Sequence, residues 1–429
     1  MDKPKVSIVR AHEYDFAQVR ASVQKAFDLI GGLDRTVKPG SRVFVKINHL
    51  SPPCPAERGI VTHPVFAEAV LELLKGAGAN ITVGDDISSD DGDGFQVSGF
   101  RQMCQRVGVR LVNLREAGFV ETRCKGHFLE HVLLARVALD ADIIVNLPKL
   151  KTHSLTVLTG AVKNMYGVIP SGMRVKYHGQ HVGKEDFSRL ATDVFSVIPS
   201  QLNVMDSIEA MEGEGPSSGS LRKLGLIMAS EDAVALDAVA SGIIGLDPSD
   251  VPTTRLSDES GLGVGNLGRI EVVGEKIQNV MVSDFRQSAI AARDLSGTIP
   301  GFMIKFVWGQ MSVKPRVIER NCTGCLKCEK TCPVGAITVS GEIAGINYDS
   351  CVKCMCCHEV CRFEAIVPRR SWLGEVTQRI AETFRWGAAV IAKGDEGFYL
   401  MGKIGRRSDF FKKRGDEESD HDEDDDYLH

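Results

Sequence analysis

At 429 residues, 43% hydrophobic and 25% charged, the chain has the composition of an ordinary water-soluble protein of two or three domains. No apolar run approaches the roughly 18 residues a transmembrane segment needs. Aromatics at 6% and no long basic face leave nucleic acid out of the expected partners. The formal net charge of −5 divides unevenly, because Asp416 to Asp426 is almost wholly acidic and the remaining body is mildly basic. The opening MDKPKVSIVR has no apolar core of a secretion signal, so a cytoplasmic protein with reduced thiols is expected.

In chain order, Lys5 to Val9 and Arg42 to Ile47 are β-branched runs that predict strands, while Asp15 to Leu29 and Pro64 to Lys75 have helical apolar spacing. Further strands are predicted at Asn80 to Val83, Arg110 to Val112, Ile143 to Val145, Leu202 to Met205, Leu224 to Met228 and Ile270 to Val273. Helices are predicted at Phe95 to Val107, Ser154 to Met165, Phe187 to Val197 and Asp232 to Ile244. This alternation predicts an α/β domain over residues 1–314, a largely parallel sheet flanked by helices.

In such sheets ligands bind beyond the carboxyl ends of the strands. Those positions hold Lys46 and Asn48, Asp85 and Asp86, Asn146 with Lys149 and Lys151, Asp206, and Glu231 with Asp232. Thr62-His63-Pro64 reads as a helix start with Thr62 as cap and its backbone N–H groups open to a carboxylate or phosphate. Lys149, Lys151 and His153 alternate in an extended stretch and share one face, and Lys163 with Asn164 interrupts an otherwise apolar helix. The substrate-binding candidates are therefore Lys46, Asn48, Asp85, Asn146, Lys149, Lys151, Asn164 and Asp206, around a small anionic substrate. His63, His153 and Lys163 are the catalytic candidates, histidine being the side chain that titrates near neutral pH.

Other motifs carry less. Gly263, Gly265 and Gly268 spell G-x-G-x-x-G, but a dinucleotide fingerprint needs a strand before and a helix after, and RIEVVG is strand-like. Cys104 and Cys124 read as buried apolar thiols; Cys54, between two prolines and near Asn48 and His63, stands apart. His178 and His181 fall in RVKYHGQHVG, read as a flexible loop without a ligand role.

Eight cysteines then repeat one spacing twice, CTGCLKCEKTCP and CVKCMCCHEVCR, each C-x2-C-x2-C-x3-C. Three closely spaced thiolates wrap one face of an iron-sulfur cube, and in two-cluster arrangements the last cysteine of each run serves the other cluster. The spacing thus assigns Cys322, Cys325, Cys328 and Cys361 to one [4Fe-4S] cluster and Cys351, Cys354, Cys357 and Cys332 to a second, with Cys356 left over. Zinc sites come as separated C-x2-C pairs rather than triplets. A haem reading of Cys354 to His358 would consume two cluster ligands, and a disulfide framework conflicts with the expected compartment. Between the runs, AITVSGEIAGINY predicts a hairpin. This domain spans residues 315–368. Residues 369–429 follow as an amphipathic helix over 371–390 and a disordered acidic tail.

Arg316 to Pro368 resembles bacterial two-cluster ferredoxins, a small α+β iron-sulfur fold, except that Arg362 stands where those usually have proline. A cation beside Cys361 is expected to give that cluster the higher potential of the pair. KINHLSPPCPAERGIVTHPVFAEAVLELLKGAGANITVGDD, ADIIVNLPKLKTHSLTVLTGAVKNMYGVIP, and VMDSIEAMEGEGPSSG followed by ASEDAVALDAV together resemble the domain of unknown function 362 family. More distantly, the order Lys-x-Asn, Thr-His-Pro, Gly-Asp is similar to lactate racemase-like proteins. The family resemblance implies this two-part architecture and electron transfer without a settled substrate. The expected protein is an iron-sulfur oxidoreductase that exchanges electrons with a ferredoxin, flavoprotein or other carrier. The alternative is a non-catalytic electron-transfer or metallocofactor-assembly partner.

Overall fold

The central predicted strands resolve into two buried faces, because successive side chains of a strand point to opposite sides of its sheet. Phe44 and Ile144 pack on one side with Ile8, Met205 and Met228. Val43, Val45, Ile143 and Val145 pack on the other with Val9, Val204 and Ile227. The computed structural model describes residues 3–50, 53–87, 93–181, 183–288, 314–369, 391–394 and 397–400.

The strands of the larger part are β1 (Lys5–Arg10), β2 (Arg42–Ile47), β3 (Asn80–Asp85), β4 (Arg110–Asn113), β5 (Phe119–Arg123), β6 (His131–Ala135), β7 (Ile143–Leu147), β8 (Lys149–His153), β9 (Val157–Thr159), β10 (Leu202–Glu212), β11 (Ser220–Ser230) and β12 (Glu271–Gly274). Among the described residues they form a ten-stranded sheet ordered β12-β1-β11-β10-β7-β2-β3-β4, with β8 on β10 and β9 on β8, and a separate β5-β6 hairpin. The sheet is mixed but largely parallel: β1, β10 and β11 pair antiparallel around β11, while β10, β7, β2, β3 and β4 run parallel. Helices cover both faces, as a sheet buried on two sides requires. Helix α1 (Phe16–Ile30) shows why they form where they do. Asp15 accepts from the Gln18 N–H to close its start, Gly31 ends it at φ 114°, and Val19, Val23, Phe27 and Ile30 face the sheet. Each such fully buried side chain contributes about 1.5–3 kcal/mol.

Four local expectations are corrected. The helix predicted over 154–165 is the β8-β9 hairpin, followed by a helix of only Ala161–Met165. Thr156, Val157 and Thr159 are β-branched, Val157 has φ 67°, and the His153 ring accepts the Leu155 and Thr156 N–H groups, so the helix cannot start before Gly160. The helix predicted over 95–107 breaks at Gly99 (φ 82°) into Gly94–Val97 and Phe100–Val107. The expected loop around His178 is the helix Ser171–Gln180. His63 rather than Thr62 caps the helix Pro64–Gly76; the Thr62 hydroxyl instead donates to Leu147 O.

The cysteine-rich segment is built from β13 (Lys314–Val317) paired with β16 (Ile366–Arg369), the hairpin β14 (Ile337–Ser340) with β15 (Ile343–Ile346), and two short helices, Lys327–Thr331 and Cys356–Glu359. Its two copies repeat their backbone: Gly324 and Lys353, Leu326 and Met355, and Gly335 and Glu364 occupy matching places, all with φ between 53° and 63°. Four of those six residues are not glycine, at a cost of roughly 1–2 kcal/mol each. That cost marks a turn demanded by the arrangement of the thiols. This segment and the α/β part belong to one compact unit, whereas the hairpin Ile391–Gly394 with Gly397–Leu400 belongs to another. The predicted helix at 371–390 and the acidic tail lie outside the described residues.

Candidate functional site

Buried polar residues gather at the ends of β2, β3 and β7 and along β8 and β10. In the first group, Lys46 Nζ lies 2.6 Å from Asp85 Oδ2, both side chains 1% exposed, and also donates to Ile47 O. The Asp85 carboxylate accepts the backbone N–H groups of His49 and Asp86 as well. Burial lowers the Lys46 amine from its usual value against the pull of Asp85. A Cβ on Gly167 would come within 2.9 Å of Lys46 Nζ, so the amine's place depends on that glycine.

In the second group, Lys149 Nζ lies 2.9 Å from Asp206 Oδ2 and 2.6 Å from Tyr14 Oη, and Tyr14 donates to Asp206 Oδ1. His63 stacks on the Tyr14 ring at 3.7 Å, and its backbone N–H donates to Asp206 Oδ2. Its Nδ1 accepts the Val65 N–H. Two N–H groups expected to receive an anion at this helix start are therefore engaged from within the protein. A ladder of amides joins the two groups: Asn48 donates to Asn164, Asn164 to Asn146, and Asn146 to Asn203. It anchors the short helix that carries Lys163 to three strands. Asp237, pushed up to about 7 by burial, accepts the N–H groups of Ala161 and Val162 at the start of that helix.

The third group differs because, among the described residues of the α/β part, its lysines have no carboxylate of their own. Lys151 is 1% exposed, and its one hydrogen bond among the described residues goes to Ile60 O at 2.6 Å. Burial, aided by the charges of Lys163 and Lys149, brings it down to about 7 against the opposing pull of Cys54 and Glu359. Lys163 lies over the Tyr166 and Phe187 rings, 4.9 and 5.7 Å from their centroids, and burial lowers it to about 8. His153 and His178 complete the group, both held below the usual histidine range by burial. Into it projects Glu359, the last residue of the short helix Cys356–Glu359; its Oε1 lies 3.6 Å from His153 Nε2 and 4.0 Å from His178 Nε2. Arg58 fastens the same junction through Arg362 O and Glu364.

The thiols fall into two sets. Cys322, Cys325, Cys328 and Cys361 line one cavity together with Leu326, Val339, Phe363 and Ile366. Cys332, Cys351 and Cys354 are the thiols whose charges act on Cys357, along with the nearby Cys328. Backbone N–H groups donate to the fourth sulfur of each run in the same way, Ala336 to Cys332 and Ala365 to Cys361. Four soft donors around one cavity suit an iron-sulfur cube, and N–H groups aimed at sulfur stabilise its negative charge. Among the described residues no cysteine is in a disulfide.

Comparison with known proteins agrees with this division. The profile of a domain of unknown function (DUF362) matches residues 43–242, and that of a 4Fe-4S binding domain matches residues 315–338. A thylakoid-associated protein of Synechocystis is 33% identical over 260 residues, 60% of this chain and 79% of that protein. The chain belongs to the DUF362 family. Its iron-sulfur end is similar to Ferredoxin-3 of Chlorobaculum tepidum, 38% identical over 63 residues, 13% of this chain and 97% of the ferredoxin. This DUF362 protein thus joins the family domain to an electron-transfer segment holding at least one iron-sulfur cluster. Among solved structures, the lactate racemase apoprotein of Thermoanaerobacterium thermosaccharolyticum superposes with TM-score 0.33 and 10% identity, over 54% of this chain and about half (55%) of that one. No described helix is long and apolar enough to cross a membrane.

The residues singled out by sequence are not gathered in one place. Lys46 and Asp85 form one pair, Lys149, Asp206 and His63 a second group, and Asn48, Asn146 and Asn164 the ladder between them. Lys151, His153 and Lys163 belong to the basic group. Tyr14, Arg174, His178 and Glu359 were missed. The strand-end rule applied to β1 would have reached Tyr14. Arg174 reaches buried Asp86 at 3.0 Å from the unexpected helix.

Proposed function

We propose that this DUF362 protein is an iron-sulfur oxidoreductase whose α/β part binds a small anionic substrate at Lys151 and Lys163, next to the cysteine-rich segment. The observation that carries the reading is the junction itself: two lysines with no carboxylate of their own among the described residues of the α/β part face Glu359, the last residue of the helix Cys356–Glu359. Cys322, Cys325, Cys328 and Cys361 would hold one [4Fe-4S] cluster and Cys332, Cys351, Cys354 and Cys357 a second; when bound, these supply single electrons. Cys325 is exposed beside Leu326, 44% exposed, which suits contact with a redox partner, while Cys354 and Cys357 are buried. The unpaired thiols support a reducing, cytoplasmic location.

The chain's own residues then have distinct tasks. Lys151 and Lys163 hold the anion. Because His153 Nδ1 accepts backbone N–H groups, its hydrogen sits on Nε2, pointing into the pocket as a fixed donor. Lys151, at about 7, and Lys163, at about 8, are both matched to giving up a proton near neutral pH. Lys46 and Lys149, each neutralised by its own aspartate, position the strands. His63 lies with Tyr14 and Asp206, apart from the basic group.

Lys163→Ala is expected to raise the Kd of the co-purifying anion about 30-fold or more, as loss of a buried charge partner does, with iron content unchanged. Loss of iron instead would make Lys163 structural. Anion binding needs protonated amines, and both are depressed, so affinity should be greatest below pH 7 and fall through pH 7 to 9. Calorimetric titration across that range with the ligand identified by mass spectrometry checks this; a flat profile contradicts it. The alternative of a non-catalytic partner protein is favoured by Glu359 already filling the pocket, and would be supported by no small molecule shifting the melting temperature.

A further inference from the structure

We infer that Glu359 is an internal stand-in for the substrate, and that the pocket of Lys151, Lys163, His153 and His178 takes a small carboxylate that binds by displacing the Glu359 carboxylate. The inference rests on the proposed anion site and specifies its ligand class and its resting occupant.

Glu359 sits among these cations and rings without a hydrogen bond to its side chain among the described residues. Its Oε1 is buried and has no hydrogen-bond partner among the described residues. The nearest ring nitrogen, His153 Nε2, is at 3.6 Å, beyond hydrogen-bond reach. His178 donates from Nδ1 to Arg174 O at 2.7 Å, which leaves Nε2 a bare acceptor facing the same oxygen at 4.0 Å, and this nitrogen too is buried without a partner among the described residues. Two acceptors facing each other across that gap are an unsatisfied arrangement. By contrast, Asp85 and Asp206 each accept hydrogen bonds from a lysine and from backbone N–H groups. Those two are built to stay, whereas Glu359 satisfies the charge of its surroundings while leaving its own oxygen unbonded. Among the described residues, the groups facing it from the α/β part are Lys151, Lys163, His153, His178 and the Tyr166 hydroxyl, which also has no hydrogen-bond partner there.

An incoming carboxylate can therefore form hydrogen bonds that Glu359 does not. Since Glu359 lies between Cys357 and Cys361, its release would also carry news of binding to the cysteine-rich segment.

The test is chemical rescue in the full chain with iron restored. Glu359→Ala removes the stand-in, and acetate or propionate should then raise its melting temperature by a few degrees with saturation, at ionic strength fixed with chloride. Wild type should respond at least tenfold more weakly. Glu359→Gln, which keeps the packing, should also bind acetate more tightly than wild type by calorimetry. Phosphate in place of acetate should give no saturable rise. Rescue by chloride or phosphate equal to that by acetate, or no rescue in either variant, overturns the inference while the lysine site stands on its own Lys163→Ala result. Rescue that persists when Lys151 and Lys163 are both replaced by methionine overturns both.

Discussion

Replacing Asp206 by alanine should destabilise the protein by about 3–5 kcal/mol, because it leaves Lys149 charged, buried and without its counter-ion. The pair is 1% and 0% exposed, and the same carboxylate also holds Tyr14 and the His63 N–H. Two charges withdrawn from water gain little over a well-packed apolar pair, so the cost lies in breaking the pair rather than in lacking it. The double variant Lys149→Met with Asp206→Leu should therefore recover most of the loss. Denaturant unfolding of the three proteins decides the matter; a loss under 1 kcal/mol for Asp206→Ala would show that water reaches the pair.

Cys357→Ala should lower iron from about eight to about four atoms per chain, and Cys356→Ala should leave it unchanged. The two thiols are adjacent and both buried, but differ in surroundings. Cys357 belongs with Cys332, Cys351 and Cys354 and packs in the core of the segment with Ile337 and Ile366. Cys356 instead meets Cys354 sideways and acts on Tyr166 across the junction. Iron and sulfide analysis after anaerobic reconstitution separates them. Equal losses from both would mean that Cys356 shares the ligand role, and full retention in Cys357→Ala would mean that it substitutes.

The parallel part of the sheet was readable because its strands are short apolar runs such as the β-branched Arg42 to Ile47, whereas β10 and β11, 11 residues each, continue past their apolar stretches into polar sequence that carries no strand signal. The hairpin at Thr156 to Thr159 was not readable, since helical spacing and β-branching conflict there and a contact from His153 decides. His178 was dismissed for its glycine neighbours, yet its ring is fixed by packing on Phe187. The basic group was legible in part: alternation placed Lys151 and His153 on one face. Nothing local could show that Glu359, some two hundred residues further on, would meet them, because that contact exists only when the two parts of the chain are joined. Nor could strand-end logic separate lysines with their own aspartates, Lys46 and Lys149, from those without, Lys151 and Lys163.

The account depends most on paired clusters beside a basic pocket, and the count of iron and acid-labile sulfide in the anaerobically reconstituted full chain tests it most directly. About eight of each per chain, with a reducible visible absorbance, is the result expected. About four of each would leave a single cluster, and about two zinc ions with only trace iron would contradict the electron-transfer reading of the whole molecule.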